Sequence, residues 1–502
     1  MALMGLDVGS TGCKAVVFSE DGRQLARAYR EYPEIYPQPG WIELDPARVW
    51  QGVQEVITEA AAAAGEPVRA LCISAMGESF TPVGPGGEFL YNSIVSPDNR
   101  AVAQANRWHE TLGPERVFQV AGMPIHPSFT LPKVQWMAEV RPDIHERVWK
   151  YLLWPDVIFA KLGLEPRLDY TLAGRTMAFD VVEKRWSDEL LGVAGVAPDL
   201  FAEPIASGQV VGELPASTAA PLNLPAGCLV VAGGHDQPMN ALGAGIIQEG
   251  LAVDGMGTVE CITVAFERPV LTEAMRTANY CCYPHVAEGL YCSLAFNYSS
   301  GSVLRWYRDN FGARYQAQAE AEAEARDVYE LILSDLPDDP TGLFAIPYFA
   351  GSGTPYMDPL AKGAILGLSL SCNEKTFVKG LVEGICYELR LNIEGLKRAG
   401  VQMQRLRATG GGSRSPVWLQ LKADITGHEV STLDVTEGGC LAGAMLAGVA
   451  SGAYASLAEA VAALVRERDI YQPDAQRHAA YTPLYELYSR LWPTIRDVVH
   501  EM

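Results

Sequence analysis

The 502-residue sequence is poor in basic side chains and has no long apolar run. Lys and Arg number 39 against 60 Asp and Glu, and the resulting formal charge of −21 repels phosphate backbones and anionic lipids. We therefore expect no nucleic acid and no membrane among its partners. Since about twenty consecutive apolar residues are needed to cross a bilayer, no membrane-spanning segment is predicted.

Several familiar motifs are also missing. The ten cysteines form no CxxC pair and no metal-type Cys/His spacing, and the opening MALMGLDVGS lacks the basic start and cleavage site of a signal peptide. We therefore expect reduced thiols in a cytoplasmic protein. The Walker pattern GxxxxGK[ST] is absent and GxGxxG does not fit the glycine-rich segments, which argues against a nicotinamide dehydrogenase.

Length and patterning indicate an α/β protein with at least two domains. A chain of this length exceeds what one hydrophobic core supports, and 48% of the residues are hydrophobic. Strands are predicted at 68–75 and 228–232, and helices at 46–64, 101–112 and 374–399. An alternation of strands and helices along the chain is typical of α/β folds.

Two strand–turn–strand segments resemble each other. GLDVGSTGCKAVVF at 5–18 and AVDGMGTVECITVAF at 252–266 each place Gly and Thr between two β-rich runs. The similarity is what a duplicated two-domain protein would show. Because any two β-hairpins share these features, the repeat alone leaves duplication open.

The first of these turns has the chemistry of a phosphate cradle. Its backbone N–H groups and the hydroxyls of Ser10 and Thr11 converge on one point, where phosphate oxygens would fit. Asp7 could hold a hydrated Mg²⁺ and Lys14 could neutralise phosphate charge. The alternative is an ordinary surface hairpin.

A candidate catalytic base follows the strand at 228–232. Gly233 and Gly234 leave room for a ligand beside Asp236. Transfer of a phosphoryl group to an alcohol needs a group that orients the hydroxyl and accepts its proton, and an Asp suffices because the transition state is loose. The alternatives are an Asp that caps a helix and a structural role for His235.

The glycine-rich segment ATGGGSRS at 408–415 lies between a predicted strand and a predicted helix. Three successive glycines, Gly410 to Gly412, would let a flat ligand lie close to the backbone. This segment is a candidate nucleotide site.

Taken in order, these segments resemble the FGGY family of carbohydrate kinases over essentially the whole chain. DVGSTGCK and DGMGT are similar to its two phosphate motifs, and GGHDQ is similar to the segment that carries its catalytic aspartate. ATGGGSRSPVWLQLKADITG and SFTLPKVQWM resemble its adenosine motif and a family signature. Five motifs in the family order make a chance resemblance very improbable.

The resemblance implies an α/β fold of two actin-like (ribonuclease H-like) domains, 1–246 and 247–502, that flank a deep catalytic cleft. ATP and Mg²⁺ are the implied cofactors, with Asp7 near the metal and Asp236 as the catalytic base. A homodimer is one of the assemblies that the family implies. The implied cofactor-binding residues are Ser10, Thr11, Lys14, Gly257, Thr258, Gly301, Arg305, Gly411, Gly412 and Ser415.

The substrate is less sharply defined. Glu78, Asp98, Asp236 and Gln237 are the predicted contacts to a small sugar or polyol, and carboxylates suit a neutral compound better than a sugar acid. We expect a ketopentose such as xylulose or ribulose. The alternatives are another polyol or a sugar acid, a catalytically silent sensor of the same superfamily, and a bracing role in their loops for Glu78 and Asp98.

Overall fold

The computed structural model describes residues 2–321, 326–435 and 437–502. Among these residues, no helix is both long and apolar enough to cross a membrane. All ten cysteines lie in the described ranges and are free thiols, as the scattered spacing predicts.

The described residues of the first half contain fourteen strands and ten α-helices. The strands are β1 (Ala2–Val8), β2 (Gly12–Ser19), β3 (Gln24–Glu31), β4 (Glu43–Leu44), β5 (Val68–Ala75), β6 (Phe80–Val83), β7 (Ser93–Ile94), β8 (Lys150–Leu153), β9 (Arg167–Asp169), β10 (Phe179–Asp180), β11 (Arg185–Trp186), β12 (Glu203–Ile205), β13 (Val210–Glu213) and β14 (Leu229–His235). The helices are α1 (Pro46–Ala63), α2 (Val102–Thr111), α3 (Pro114–Ala121), α4 (Thr130–Val140), α5 (Pro142–His145), α6 (Trp154–Lys161), α7 (Tyr170–Gly174), α8 (Asp188–Ala194), α9 (Ala216–Ala219) and α10 (Asp236–Gly243).

The described residues of the second half contain nine strands and nine helices. The strands are β15 (Gly250–Met256), β16 (Glu260–Phe266), β17 (Tyr283–Pro284), β18 (Tyr291–Asn297), β19 (Phe344–Ile346), β20 (Ala364–Leu366), β21 (Met403–Thr409), β22 (Glu429–Leu433) and β23 (Glu467–Tyr471). The helices are α11 (Glu273–Thr277), α12 (Gly301–Phe311), α13 (Ala313–Ala321), α14 (Val328–Leu333), α15 (Glu374–Arg398), α16 (Pro416–Thr426), α17 (Gly438–Ala450), α18 (Leu457–Leu464) and α19 (Ala475–His500).

The two large sheets have the same central topology. The first has the order β13-β14-β5-β1-β2-β3, and the second has the order β17-β18-β16-β15-β21-β22-β23. In each, an antiparallel three-strand meander is followed by two parallel strands on the side of its first strand. This is the ribonuclease H-like arrangement, and its repetition supports the duplication that the sequence repeat left open.

Local sequence explains why the first sheet forms where it does. The strand β1 reads ALMGLDV and is apolar on both faces, as expected for a strand covered on both sides. Asp45 begins α1 by accepting a hydrogen bond from the backbone N–H of Ala47, and Pro46 occupies the first helical turn. The apolar stripe of α1 then packs on β2 and β3.

The opposite face of the first sheet is covered by a helix from the other half of the chain. The helix α17 packs on β1 and β5 and also on α10, which connects the two halves. It is apolar on all sides, which is typical of a buried helix. A Cβ at Gly5 would lie 1.9 Å from the carbonyl oxygen of Cys440, so glycine is needed for this close approach. The two sheets are therefore linked through these crossing helices.

Candidate active site

The turn between β1 and β2 lies at the carboxyl end of β1. The N–H of Gly9 donates to the carbonyl of Gly12 at 2.9 Å, and the hydroxyl of Tyr32 donates to the carbonyl of Gly9 at 2.5 Å. These two bonds fix a tight loop whose tip carries Ser10, half-buried, and Thr11, exposed. The predicted phosphate cradle is therefore an ordered turn with accessible hydroxyls.

Lys14 and Asp7 lie beside this turn in one electrostatic group. The ammonium of Lys14 is 3.9 Å from Asp7 and 2.6 Å from Glu437, the residue before α17. Burial opposes the charge on Lys14, but these two carboxylates outweigh it and raise the pKa of Lys14. Burial also disfavours the charged form of Asp7 and so raises the pKa of this carboxyl, although Lys14 and a hydrogen bond from Ser74 lower it. The pair is poised to exchange partners with a bound phosphate or cation.

Asp236 is placed near Asp7 by the parallel strands of the first sheet. In the ladder, Asp7 on β1 pairs with Ser74 on β5, and Gly234 on β14 pairs with the same Ser74. The carboxyl ends of these strands meet at one edge, which is where ligands bind in open α/β sheets. Asp236 follows β14 directly, begins α10 and keeps 37% of its side chain exposed.

The electrostatic surroundings of Asp236 suit a proton acceptor. Protein atoms around the Asp236 carboxyl reduce its solvation, and this effect raises its pKa most. The carboxylates of Asp7 and Glu78 raise it further, to about 7, while a hydrogen bond from Gln237 opposes the rise. A base whose pKa lies near the working pH is ionised yet able to take a proton. Asp236 and Gln237, both predicted to contact the substrate, are thus joined by a hydrogen bond at this edge of the sheet.

The second phosphate turn joins β15 to β16 and rests on the start of α12. The N–H groups of Gly301 and Ser302 donate to the carbonyls of Gly257 and Thr258 at 3.1 and 3.2 Å. A Cβ at Gly301 would lie 2.5 Å from the carbonyl oxygen of Gly257. Arg305, one turn further along α12, donates to the hydroxyl of Thr258 at 3.3 Å.

All seven predicted nucleotide residues of the second half line one cavity of about 980 Å³. They are Gly257, Thr258, Gly301, Arg305, Gly411, Gly412 and Ser415. Ser415 also begins α16, because its hydroxyl accepts from the N–H of Trp418 at 3.3 Å. Tyr329, Glu330 and Leu333 of α14 line the same cavity. Its size is that of a site for a nucleotide-sized ligand.

Glu78 follows β5 and forms an ion pair that the sequence did not reveal. Its backbone is left-handed, with a φ of 59°, an uncommon conformation for a residue with a Cβ and one that is concentrated at functional sites. The guanidinium of Arg175 donates to the Glu78 carboxylate at 2.5 Å through Nε. Burial disfavours the carboxylate, but Arg175, with a hydrogen bond from Ser96, holds the pKa of Glu78 below its usual range.

Asp98 does not face a substrate. Its side chain is fully buried, and its two oxygens accept hydrogen bonds from Arg100 and from the backbone N–H of Ile42. Arg100 also binds Glu43 at 2.8 Å and covers the ring of Trp41. This geometry corrects the assignment of Asp98 to the substrate, because all its acceptor capacity holds the loop together.

Comparison with known families identifies the family of the chain. The N-terminal domain of the FGGY family of carbohydrate kinases matches residues 2–243, and its C-terminal domain matches residues 255–451. The chain belongs to the FGGY family of carbohydrate kinases. The resemblance found in the sequence is confirmed, and the protein is a sugar phosphotransferase with the two-domain fold expected for it.

Relatives of this kinase are named for different substrates. It is 26% identical to the xylulose kinase of Bacillus subtilis, over 99% of this chain and 97% of that protein. It is 29% identical to the autoinducer-2 kinase of Salmonella choleraesuis, over 99% of this chain and 95% of that protein. The crystal structure of the xylulose kinase from Rhodospirillum rubrum superposes with a TM-score of 0.89 at 26% identity and covers both chains completely.

The kinase offers Mg²⁺ few side-chain ligands. Among the described residues, no group of three or more His, Cys, Asp or Glu side chains converges as a metal site. Mg²⁺ in phosphoryl-transfer enzymes is usually held by one or two carboxylates, by waters and by substrate phosphates. Asp7 fits that role, since its side chain is 26% exposed and lies beside a second carboxylate, Asp236, whose pKa it raises.

The sequence did not predict three further features of the site. Arg175, 97 residues from Glu78, stands in a short helix–loop segment with no motif of its own. Tyr283 comes from the second half of the chain and contacts His235. Lys422 is fully buried between Asp254 and Glu260, below the second phosphate turn. A lysine within the apolar run WLQLKADI was the one available signal, because a buried cation needs a partner.

Proposed function

We propose that this kinase transfers the γ-phosphate of ATP to a hydroxyl of a small neutral ketose or polyol, and that a ketopentose such as xylulose or ribulose is its substrate. The observation that carries the proposal is the position of Asp236. It stands at the carboxyl edge of the first sheet beside Asp7 of the phosphate turn and Glu78 of the substrate loop.

The roles of the individual residues follow from this arrangement. Asp236 accepts the proton of the attacking hydroxyl, and Gln237 helps to orient it. The hydroxyls of Ser10 and Thr11 and the ammonium of Lys14 bind the terminal phosphates. Mg²⁺, held by Asp7 and the phosphates, would neutralise charge on the transferred group.

The second half supplies the nucleotide cavity. The phosphates face four residues of this cavity, which are Gly257, Thr258, Gly301 and Arg305. At Gly301 the backbone lies so close to the β15–β16 turn that a side chain would have no space. The bases of nucleotides are flat, and Gly411, Gly412 and Ser415 give adenosine a wall without bulky side chains.

The cations near Glu78 favour a neutral substrate. Arg175 is 14% exposed and already paired with Glu78. Lys133 is fully buried and donates to the carbonyls of Val95, Ser96 and Ser128 at 2.6, 3.0 and 2.7 Å, which uses all three of its hydrogens. In this part of the described structure, Arg175 and Lys133 therefore both have partners. The carboxylate of a sugar acid would instead need a cation that is not already paired.

An ADP-release screen tests the proposal. The enzyme is assayed with Mg-ATP against ketopentoses, polyols, aldoses and aldonic acids, with the nearly isosteric variant Asp236→Asn as the blank. We expect a ketopentose or polyol to stimulate ADP release in the parent enzyme and not in the blank. Stimulation by an aldonic acid alone would contradict the neutral substrate, and stimulation that survives in the blank would contradict the base.

A further inference from the structure

The residue before the catalytic base is held by a tyrosine from the other half of the chain. His235 ends β14 and is 4% exposed, and its Nδ1 lies 2.9 Å from the hydroxyl of Tyr283. Tyr283, on β17 at the edge of the second sheet, is fully buried. On the other side of the imidazole, Nε2 lies 3.2 Å from Oδ1 of Asp236. The ring therefore stands between the second half of the chain and the base.

The proton positions in this chain follow from chemistry. Burial lowers the pKa of His235 to about 3, so the imidazole is neutral and carries a single N–H. An ionised Asp236 carboxylate can only accept, so a hydrogen bond from the ring to it would need the proton on Nε2. Nδ1 is then an acceptor for the hydroxyl of Tyr283. With the proton on Nε2, the Tyr283 O–H donates to Nδ1, and the Nε2–H is available to Asp236 once the carboxylate turns toward it.

The surrounding structure keeps the ring in place. The backbone N–H of His235 donates to the hydroxyl of Thr171 at 2.7 Å, and that hydroxyl is bound in turn to Asp169. A Cβ at Gly77 would lie 2.8 Å from Nε2, so the missing side chain makes room for the imidazole. These contacts hold the donor while the half-exposed carboxylate of Asp236 remains free to turn toward it.

We propose that His235 and Tyr283 are positioning residues, in which the Nε2–H of His235 orients the Asp236 carboxylate toward the substrate hydroxyl and Tyr283 fixes the tautomer that supplies this N–H. The inference rests on the proposed role of Asp236 as the base. Hydrogen bonds of unliganded catalytic groups tighten when substrate binds, so the 3.2 Å approach is a starting geometry. Because Tyr283 belongs to the second half, the base is aligned only when both halves are docked.

Two substitutions of His235 separate its two contacts. An asparagine amide reaches the position of Nδ1 and a glutamine amide that of Nε2, so His235→Gln keeps a donor for Asp236 and His235→Asn does not. We expect His235→Asn to lower kcat about 10- to 100-fold, as small misalignments of a reacting group do, with little change in the KM of ATP. His235→Gln is expected to recover most of that loss.

Tyr283→Phe tests the other end of the chain, with Tyr291→Phe as its matched control. Tyr291, on the neighbouring strand β18, is also buried and donates to the carbonyl of Val181 across the same contact between the halves. We expect Tyr283→Phe to lower kcat several-fold in the parent and not to lower it further in His235→Asn. Tyr291→Phe should lose similar thermal stability and keep the parent kcat.

The pH profile provides a readout that a merely structural role would not move. Asp236 is faced by Asp7 from β1, Glu78 from the loop after β5, and Cys261 from β16, and all three are present in every variant. Loss of the N–H donor should shift the acidic limb of kcat/KM upward by about one pH unit in His235→Asn, since a hydrogen bond to the carboxylate favours its ionised form.

Three results would overturn the inference. They are a parent-like kcat and acidic limb in His235→Asn, a His235→Gln variant no better than His235→Asn, and equal effects of Tyr283→Phe and Tyr291→Phe on kcat. Should the His235 variants fail to fold, the tyrosine pair decides alone. An active Asp236→Asn enzyme would instead remove the base and the proposed function itself, which keeps the two failures distinguishable.

Discussion

Lys422 connects the two segments of the second half that we propose bind the nucleotide, and its removal has a calculable effect. The residue lies on α16, whose first turn lines the nucleotide cavity, and its ammonium binds Asp254 on β15 and Glu260 on β16. All three side chains are almost completely buried. The β15–β16 turn carries Thr258, so we expect this ion group to set the distance between the proposed phosphate turn and the proposed adenosine segment.

Lys422→Met leaves two carboxylates buried without a cation. Breaking a buried ion pair in this way costs about 3–5 kcal/mol. Burial raises the pKa of Glu260 even in the parent enzyme, and the loss of Lys422 raises it further. A carboxyl whose folded pKa is raised contributes stability below its unfolded pKa and loses it as pH rises through the folded value. The variant should therefore be more destabilised at pH 8 than at pH 6.

The assay compares unfolding and kinetics with those of a matched variant. Lys379→Met removes another buried lysine of the same half, which pairs with Glu383 at 3.5 Å and does not line the cavity. Both variants should lose stability to urea, but only Lys422→Met should raise the KM of ATP, by about tenfold, or 1.4 kcal/mol. The triple variant Lys422→Met/Asp254→Asn/Glu260→Gln should regain most of the stability.

Two results would contradict this role of Lys422. A change in the KM of ATP that is the same in Lys422→Met and Lys379→Met would show that the ion group does not position the nucleotide segments. A Lys422→Met enzyme as stable as the parent at pH 8 would show that the substitution does not leave Asp254 and Glu260 unpaired.

Three other predictions concern the pH dependence of the reaction, the two carboxylates Glu78 and Asp98, and the close packing at Gly5. Below pH 7, kcat/KM should fall about tenfold per pH unit as Asp236 takes up a proton, and a plateau down to pH 5 would contradict its pKa of about 7. Glu78→Gln should raise the KM of the sugar by about tenfold or more without changing that of ATP, whereas Asp98→Asn should lower the melting temperature and leave both KM values unchanged. Gly5→Ala should destabilise the fold by about 1–3 kcal/mol through its clash with α17, whereas Gly192→Ala, with open space around it, should not; equal melting temperatures would argue against the close packing.

The strands, helices and nucleotide segments could be predicted because their signals are local. The predicted helix at 46–64 is found at Pro46–Ala63, and the predicted strand at 68–75 is found at Val68–Ala75. Apolar periodicity, Pro at a helix start and glycine-rich turns depend only on neighbours in the chain. The glycines at 411 and 412 likewise identify the cavity wall without knowledge of the tertiary structure.

The contacts within the site could not be predicted in the same way, because they join distant residues. Whether Glu78 meets a substrate or an arginine depends on Arg175, which the fold brings from 97 positions away. The loop conformation turns Asp98 inward onto Arg100, although the Asp-x-Arg spacing is compatible with either orientation. The crossing of α17 to the first sheet depends on small residues that carry no directional signal in the sequence.

Single-turnover transfer from γ-labelled ATP shows whether Asp236 is the base of this sugar kinase. The Asp236→Asn enzyme is loaded with Mg-ATP and mixed with the sugar that the screen identifies, while nucleotide affinity is measured separately. We predict that the variant binds ATP as the parent does and transfers the label about 10²–10⁴-fold more slowly. Transfer at the parent rate by a variant that binds ATP normally would contradict the account.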